Sequence, residues 1–311
     1  MRFDIIHLHN IHGYYLNFPT LFSFLKEIDA KIIWTFHDEW PINSFKAHSM
    51  GCWHCRTGEG KCASSYSYPK TYFSFLEQFN LNKKKKSFLG LENLTIISPA
   101  KWLAEEIQKS FLADYEVKYI PNGVDVNLFK PAENKNFLKE KYNLPKDKKI
   151  ILFSAHKLKD KSKGVFHILE LAKKFPEYFF LGIGLGIKSN ISNLKIFGYV
   201  TDEKILSELY SLSDVFLFPS YAETAPLVAL EAMSSGLPAV GFNIPAIREI
   251  VGDCGVLVKL GDKKALKESL DKLLSDEYQI NKLGQLARLK IRSDFDKNAF
   301  LMKYLEIYKR L

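Results

Sequence analysis

One stretch near the C-terminal end constrains the fold most, because it combines a strand, a loop and a helix in immediate succession. The apolar run Val215-Phe-Leu-Phe218 has strand character, and Pro219-Ser220 ends it. Pro226 suits the first position of a helix, where its missing N–H costs nothing. Gly236-Leu-Pro238 then closes that helix. The sequence therefore predicts a strand that leads through a short loop into the N-terminus of a helix.

This helix start is a candidate anion site. If Pro226 is the first helical residue, Ala225 is the N-cap, where a side chain that accepts hydrogen bonds is normally preferred. Thr224 could reach one of the free amides. Otherwise three amides have no obvious capping partner, those of Leu227, Val228 and Ala229. Free amides and the positive end of a helix dipole together favour phosphate.

Two glutamates lie on either side of this helix start. Glu231 is the only charged residue between Glu223 and Arg248, on a helix of otherwise apolar or small residues, and such a helix is usually buried. An unpaired buried charge is costly, so Glu231 should have partners unless it lies along a solvated edge. The Glu-x7-Glu spacing puts one carboxylate in the loop and the other inside the helix, so that both can face one cleft.

The stretch resembles the Glu-x7-Glu signature of the retaining, nucleotide-sugar-dependent glycosyltransferases of family four, which have the two-domain GT-B fold. The resemblance implies that the Glu231 carboxylate holds the nucleotide ribose. It also implies that Glu223 and the backbone after it meet the donor sugar and phosphates. Many members have Gly-Phe-Gly after the first glutamate. Thr224-Ala225-Pro226 stands there in this chain, which is similar to a subgroup that builds bacterial surface polysaccharides of the colanic-acid type.

Polar side chains follow two predicted strands in the N-terminal part. Residues 4–9 and 31–36 read as strands, with an amphipathic helix over 18–28 between them. This order favours a parallel sheet with a right-handed crossover, in which ligands lie outside the carboxyl ends of the strands. Four residues are thereby placed at an acceptor-side cleft, His9, Asn10, His37 and Asp38. The segments around them resemble the N-terminal domain of the same subgroup, and we expect His37 to orient the donor sugar or the acceptor.

The resemblance also suggests the domain boundaries. Pro121-Asn-Gly-Val-Asp125 marks the passage between the two Rossmann-like domains in the resembled family. The expected fold class is α/β, GT-B, with two parallel sheets facing a cleft. Relatives have about 70 to 80 residues, including the first strand of their Rossmann-like sheet, before the point that matches Met1, so we expect the N-terminal domain to be incomplete. Three parts are predicted, a partial acceptor-side domain, a nucleotide-sugar-binding domain and a helix that crosses back, over 1–124, 125–295 and 296–311.

Further donor-binding residues follow from the resemblance in the second domain. A Lys-Gly pair matches the family's lysine for the donor phosphates, which an ammonium suits as a point charge, and a second basic residue is expected shortly before it. A Gly-x-Gly-x-Gly run resembles a phosphate loop, although that signal is weak alone. Two residues after a later glycine pack around the base in the family. In this chain these residues are Lys163, Lys157, Gly184, Tyr199 and Val200.

A glycine-rich insertion between 46 and 70 carries three of the four cysteines. In a cytoplasmic protein, Cys-x2-Cys favours metal or redox chemistry over a structural disulfide. Thiolate and imidazole ligands suit tetrahedral zinc. The candidate ligands are Cys52, Cys55, Cys62 and either His48 or His54. Reduced cysteines in an ordered loop are the alternative, and no cofactor is otherwise expected.

Composition bears on partners and location. The formal net charge is +9, which is compatible with anionic donors or anionic lipid surfaces, or with a merely lysine-rich solvated surface. Residues 73–91 place a lysine run beside aromatic residues, so they predict either contact with an anionic bilayer or a solvated helix face that covers the core. No apolar run reaches the length of a membrane span, and the N-terminus is too polar for a signal peptide. We expect a cytoplasmic protein, either free or at the inner face of the membrane.

The sequence therefore predicts a metal-independent retaining glycosyltransferase of polysaccharide biosynthesis. Its donor would be a UDP- or GDP-sugar, and its acceptor a glycan or a lipid-linked glycan. His37 and Glu223 are the predicted catalytic residues, with Glu223 as a sugar ligand rather than a covalent nucleophile. The alternative is a truncated relative that only binds nucleotide. Nucleic acid is not an expected partner, because no recognisable motif for reading it is present.

Overall fold

The computed structural model describes residues 3–13, 15–49, 57 and 76–310. The predicted zinc ligands Cys52, Cys55, Cys62 and His54 lie outside these residues, so that site stays a prediction. The chain forms two compact units. One consists of residues 1–121 and 302–311, here called unit 1, and the other of residues 122–301, here called unit 2.

Unit 1 is built on a sheet of four parallel strands in the order β1-β2-β3-β4. The strands are Ile5–Leu8 (β1), Lys31–Thr35 (β2), Leu94–Ser98 (β3) and Glu116–Tyr119 (β4). Its described helices before residue 121 are Phe18–Glu27 (α1), Glu77–Phe88 (α2) and Lys101–Gln108 (α3), with a 3-10 turn at Trp40–Ile42. The predicted order of strand, helix and parallel strand over 4–36 is confirmed.

Aromatic side chains fill the core beneath α1 and α2. Phe22, Trp34 and Phe88 are almost completely buried. Their ring centroids lie 4.5 to 5.2 Å apart, which is the range in which tilted aromatic pairs are favourable. Asn17 begins α1 by accepting a hydrogen bond from Thr20 N, so the helix starts where the apolar pattern predicts it.

One of the two sequence-based alternatives for this segment was a solvated helix face. The lysine run of α2 is not uniformly solvated. Lys84 is completely buried, whereas its neighbour Lys83 is exposed. The Lys84 ammonium donates to Trp40 O at 2.5 Å and to Asn43 O at 2.7 Å, and lies 3.5 Å above the Trp40 ring centroid. Burial lowers the pKa of Lys84 well below its usual value, while Asp38 opposes that shift. Lys84 therefore fixes the segment after β2.

Unit 2 contains a sheet of six parallel strands in the order β10-β9-β8-β5-β6-β7. The strands are Ile150–Lys157 (β5), Phe179–Leu185 (β6), Leu194–Ile196 (β7), Val215–Phe218 (β8), Ala239–Phe242 (β9) and Gly255–Val258 (β10). The helices are Lys135–Lys141 (α4), Val165–Lys174 (α5), Glu203–Ser211 (α6), Leu227–Ser234 (α7), Pro245–Val251 (α8), Lys263–Leu274 (α9) and Glu277–Asp294 (α10). The last helix, Lys297–Arg310 (α11), begins in unit 2 and ends in unit 1. A 3-10 turn spans Lys161–Lys163.

Both faces of the six-stranded sheet are buried, which explains why its strands read as continuous apolar runs. Along β5, Leu152 belongs to one core cluster and Ile151 to the other. Phe216 and Leu217 divide in the same way along β8. None of the helices in the described residues has the length and apolar character of a membrane span.

Helix α6 begins at Glu203, because Asp202 caps it by accepting from Lys204 N and Ile205 N. Helices α4, α8 and α10 were not predicted. The division between the two compact units falls within α11, whose first turn packs on the linker of unit 2. A Cβ at Gly123 would lie 2.6 Å from Lys297 Cα.

Candidate active site

The loop after β8 lies at the centre of the candidate site in unit 2. This loop, residues 219–226, joins β8 to α7, and Tyr221 N donates to Ser162 O at 2.7 Å. Gly164 has φ +66°, and a Cβ there would lie 1.9 Å from the Pro219 carbonyl oxygen. Glycine is therefore required for this close approach. The Lys-Gly match in the sequence thus has a steric reason.

Lys163 and Glu223, two of the predicted donor-site residues, are in direct contact. Lys163 Nζ lies 2.8 Å from Glu223 Oε1, and the two side chains are 27% and 11% exposed. A partly buried pair is screened by salt less than a surface pair. The structure therefore holds the Lys163 ammonium against the loop that enters α7.

The start of α7 differs by one residue from the prediction. Pro226 has ψ 114° and is the N-cap, so that the first helical residue is Leu227. The amide of Ala229 donates to Pro226 O at 3.2 Å, so it is not available to a ligand as predicted. No side chain caps the helix, which leaves the amides of Leu227 and Val228 as the candidates for binding an anion.

Glu231 lies half-buried in the second turn of α7. Burial raises the pKa of the Glu231 carboxyl to about 6, Glu203 adds to that shift, and the Tyr210 hydroxyl opposes it. Tyr210 is completely buried, and its hydroxyl faces both Glu231 and Ser154, although it makes no hydrogen bond of good geometry within the described residues. Sequence reasoning missed Tyr210 and Ser154, because nothing in their local sequence distinguishes them from other core-lining residues.

Asn122 anchors the same loop from the linker. Its Nδ2 donates to Ala225 O at 2.9 Å, immediately before the N-cap of α7. The sequence placed the Asn-Gly dipeptide at the passage between the domains and gave the asparagine side chain no role. Thr224, also predicted to contact the donor, is buried in this loop.

The remaining predicted donor residues lie around β5 to β7. Gly184 has φ +141°, and a Cβ there would meet Ala155 O at 1.8 Å, so this glycine permits close packing between β5 and β6. It also lines an open groove of about 860 Å³. Tyr199 is 54% exposed and stands edge-on to His156, Val200 packs on the core, and Lys157 is exposed at the end of β5.

His167 is a further residue near this loop that sequence reasoning missed. It is 2% exposed, and its Nε2 is 2.8 Å from the Tyr221 hydroxyl. Burial lowers the pKa of His167, as does Lys263, while Glu170 opposes the shift. The neutral ring thus fixes a residue of the same loop two positions before Glu223.

In unit 1, the structure brings the four predicted acceptor-side residues to the carboxyl ends of β1 and β2. His9 Nδ1 lies 2.9 Å from His37 Nε2. Asp38 accepts from His12 Nε2 at 2.7 Å and from Trp40 N at 2.8 Å. All four predicted residues, His9, Asn10, His37 and Asp38, line a small crevice.

A third histidine stacks on this pair. The His7 and His9 ring centroids are 4.3 Å apart. His7 Nδ1 contacts the Tyr308 hydroxyl at 2.7 Å and His7 Nε2 contacts Thr35 Oγ1 at 2.8 Å. Burial first, then the His9 and His37 rings, lower the pKa of His7 to about 4. The sequence gave no role to His7, because it lies inside a strand.

Metal ligation has no support among the residues that the structure describes, since no cluster of three histidine, cysteine or acidic residues there could hold an ion. His48, one of the predicted zinc ligands, is described and half-buried. The cysteines that would complete the site are not among the described residues.

Comparison with known proteins decides the family. A family model described as "Glycosyl transferases group 1" matches residues 134–299, which is more than half of the chain. The chain belongs to the group 1 glycosyltransferases. The match covers α4 through the first residues of α11, and so includes Lys163, Glu223 and Glu231.

Two curated relatives are similar to this group 1 glycosyltransferase in sequence. A protein assigned to colanic acid biosynthesis, the glycosyl transferase WcaC of Escherichia coli strain K12, is 26% identical over 87% of this chain and 66% of its own length. The UDP-Gal:alpha-D-GlcNAc-diphosphoundecaprenol alpha-1,3-galactosyltransferase of Escherichia coli is 30% identical over 61% of this chain and 53% of its own length. The chain thus spans two thirds or less of the length of both relatives.

A solved structure supports the fold. Sucrose-phosphate synthase from Thermosynechococcus elongatus superposes with a TM-score of 0.76 at 20% identity, covering 99% of this chain and 73% of that protein. The predicted fold class is confirmed. The group 1 glycosyltransferase described here has the α/β GT-B fold, with an all-parallel sheet in each unit.

Proposed function

We propose that this group 1 glycosyltransferase moves a sugar, with retention, from a nucleoside diphosphate sugar to a glycan or lipid-linked glycan during polysaccharide biosynthesis. The contact between Lys163 and Glu223 carries the proposal. It puts the Lys163 ammonium beside a carboxylate of the loop that enters α7. A donor needs both groups there, because its diphosphate is anionic and its sugar presents hydroxyl groups.

The chemistry of the surrounding groups supports a diphosphate leaving group. The amides of Leu227 and Val228 at the uncapped start of α7 can accept negative charge. Together with the Lys163 ammonium they would stabilise the phosphate oxygen that departs, which is the kind of electrostatic contribution that usually dominates such catalysis. Because these groups supply positive charge, we propose that the reaction requires no metal ion.

Glu231 is the proposed ribose ligand. Its carboxylate is half-buried and in the second turn of α7, so it can accept hydrogen bonds from two neighbouring hydroxyl groups. Charge-assisted hydrogen bonds of this kind are stronger than neutral ones. Among donors we favour a UDP-sugar, because the galactosyltransferase relative carries UDP-Gal in its name. A diphosphate-linked lipid carrier is the proposed class of acceptor, again from the name of that relative.

Donor binding and turnover test this function separately. Thermal unfolding with UDP, GDP and ADP identifies the base, since a ligand at 100 times its Kd stabilises by about 2.7 kcal/mol. We expect UDP to stabilise the wild type and not Glu231→Ala. Consumption of UDP-glucose, UDP-galactose or UDP-N-acetylglucosamine then shows transfer. Stabilisation by UDP without consumption of any sugar nucleotide would favour the alternative, a protein that only binds nucleotide.

We also propose that α2 contacts an anionic membrane surface at the cytoplasmic face. Phe79 is 65% exposed, and Lys83 and Lys86 lie exposed on the same side of the helix, at i+4 and i+7. Exposed aromatic and basic residues together suit anionic headgroups. This surface excludes Lys84, which is buried.

Vesicle sedimentation tests this contact. The full chain should sediment with phosphatidylglycerol vesicles at low salt and not with phosphatidylcholine vesicles. Phe79→Ser should weaken sedimentation several-fold. Phe137→Ser is the matched control, because Phe137 in unit 2 is 64% exposed and lies outside the proposed surface. Equal loss in both variants, or no sedimentation of the wild type, would refute the membrane contact.

A further inference from the structure

The His9–His37 contact is unusual among the polar contacts of unit 1, because two ring nitrogens face each other at 2.9 Å. A hydrogen bond at this distance needs one proton between the two nitrogens. If His9 Nδ1 carries the proton, His37 Nε2 must be unprotonated, and the single N–H of the neutral His37 ring is then at Nδ1. If His37 Nε2 carries it, His9 Nδ1 is bare and its own proton sits on Nε2. The two neutral rings therefore always share the same tautomer.

The outer nitrogens of this pair are available to a ligand. Neither His9 Nε2 nor His37 Nδ1 has a hydrogen-bond partner among the described residues. His9 is exposed and His37 half-buried. Adding a proton at one outer nitrogen moves the central proton across the contact and releases a proton from the other outer nitrogen. The pair has the connectivity of a two-ring proton relay.

Two ionisable residues beside this pair, His7 and Asp38, are already engaged in hydrogen bonds. Both nitrogens of His7 are bonded, to Tyr308 and Thr35. Both oxygens of Asp38 are bonded, to His12 and Trp40 N. Compared with His7 and Asp38, the outer nitrogens of His9 and His37 can therefore exchange a proton with a ligand without first breaking a hydrogen bond between described residues.

The cluster disfavours a lasting positive charge. Burial lowers the pKa of His9. Burial and His9 lower the pKa of His37, His12 lowers it further, and Asp38 opposes these shifts. The tilted His7 ring lies 4.3 Å from the His9 ring. A positive charge on His9 would therefore repel a positive charge on His7. A proton taken up by the pair is thus readily passed on.

We propose that His9 and His37 together form a proton relay that deprotonates the hydroxyl group of the sugar acceptor. The inference rests on the proposed function. As the acceptor oxygen forms its bond to the sugar C1, the bond from C1 to the phosphate oxygen breaks and its electron pair leaves with the diphosphate. The acceptor's proton enters one outer nitrogen, and a proton leaves the other outer nitrogen for water. His9, so far placed only beside the acceptor, becomes a catalytic residue.

Nuclear magnetic resonance tests the relay without turnover. The full chain labelled with 15N-histidine should show His9 and His37 in the same tautomer at pH 7.5, or in the same averaged mixture of tautomers. His9→Asn and His37→Gln assign the two rings. Opposite tautomers, or rings that titrate independently of each other, would overturn the relay.

Two substitutions at one position separate a relay from simple positioning. In His9→Asn, the amide can occupy the place of Nδ1 and keep the contact with His37, but it cannot pass a proton. His9→Phe removes the contact. A relay predicts that both variants lose about 10²-fold or more in kcat, which is the lower part of the range for general base catalysis. Full activity of His9→Asn beside an inactive His9→Phe would show positioning and overturn the proposal.

The readouts keep this inference apart from the proposed function. Both variants should retain the thermal stabilisation by UDP of the wild type, because His9 belongs to unit 1 and the proposed UDP site to unit 2. If the wild type consumes none of the UDP-sugars, the proposed function fails, and the tautomer measurement still decides whether the rings share a proton.

Discussion

Lys163 Nζ lies 2.8 Å from Glu223 Oε1, in the loop through which β8 leads into α7. Each group therefore occupies part of the other's potential ligand site. A phosphate that approaches Lys163 competes with the carboxylate, and a sugar hydroxyl that approaches Glu223 competes with the ammonium. Donor binding should exchange this internal pair for two contacts with the ligand.

Because of this competition, Glu223→Gln should change the affinity for UDP and the rate of sugar transfer in opposite directions. The Lys163 ammonium is released from its carboxylate, so UDP alone should bind about two- to fivefold more tightly, in line with the ~0.5 to 1 kcal/mol of a partly exposed ion pair. Turnover of the UDP-sugar should fall. Isothermal titration and a turnover assay check both. Lys163→Met is the matched control and should weaken UDP binding. Weaker UDP binding in Glu223→Gln would contradict the expected competition between the carboxylate and the phosphate.

The affinity for UDP should depend on the ionisation of Glu231. The pKa of its carboxyl is raised to about 6, so the carboxylate is present above pH 6 and protonates below it. UDP binding should therefore weaken as the pH falls through 6. Glu231→Gln should bind weakly at every pH and lack this part of the dependence. Because the variant is titrated with the same ligand, it also corrects for protonation of the UDP phosphate. An identical pH dependence in both proteins would refute the role of Glu231.

Removing the Asn122 side chain should loosen the loop before α7. Asn122→Ala loses the hydrogen bond from Nδ2 to Ala225 O and leaves that carbonyl without this partner, which should lower the free energy of unfolding by about 1 kcal/mol. The Kd for UDP should rise, because the helix start is less well positioned. Asn127→Ala, at an exposed position of the same linker, should change neither quantity. Urea unfolding and UDP titration compare the two variants.

Lys84 should contribute to stability in a way that its neighbour in the lysine run does not. Lys84→Met leaves Trp40 O and Asn43 O without their buried donor, and we expect a loss of about 2 to 4 kcal/mol from two unsatisfied carbonyl groups. Lys83→Met, at an exposed site, should stay within about 0.5 kcal/mol of the wild type. Chemical denaturation measures both. Similar stabilities would mean that the ammonium is not needed for the segment after β2.

Acid should destabilise the protein through His7. The pKa of His7 is about 4 in the folded state, below the ordinary value of about 6.5 that it regains on unfolding. The unfolded chain therefore binds a proton first, and stability is lost as the pH falls from about 6.5 towards 4. The loss from this group is at most about 3 kcal/mol. His7→Phe should flatten the dependence of the urea midpoint on pH over this window, and an unchanged slope would contradict the expectation.

The order of strand, loop and helix around Glu223 was predicted from the sequence alone and is confirmed, and the same stretch defined the candidate donor site. A continuous apolar run gave the strand over 215–218, because a parallel sheet covered on both faces demands such a run. The Glu-x7-Glu spacing identified the loop that enters α7. Helix α10 was missed. Its buried residues Ile280, Ala287 and Ile291 lie at helical spacing. Leu289 is apolar but exposed, which obscures the apolar face in the sequence.

Long-range contacts decided what no local pattern could show. Lys163 meets Glu223 across 60 residues of sequence, Asn122 meets Ala225 across 103, and His7 meets Tyr308 across 301. The same limit hid Lys84, whose burial depends on carbonyl groups more than 40 residues away. Periodicity reports which face of an element is apolar, and a motif reports a local spacing. Which polar atoms then share a proton or a charge is set by packing between distant segments, and only the tertiary structure specifies that.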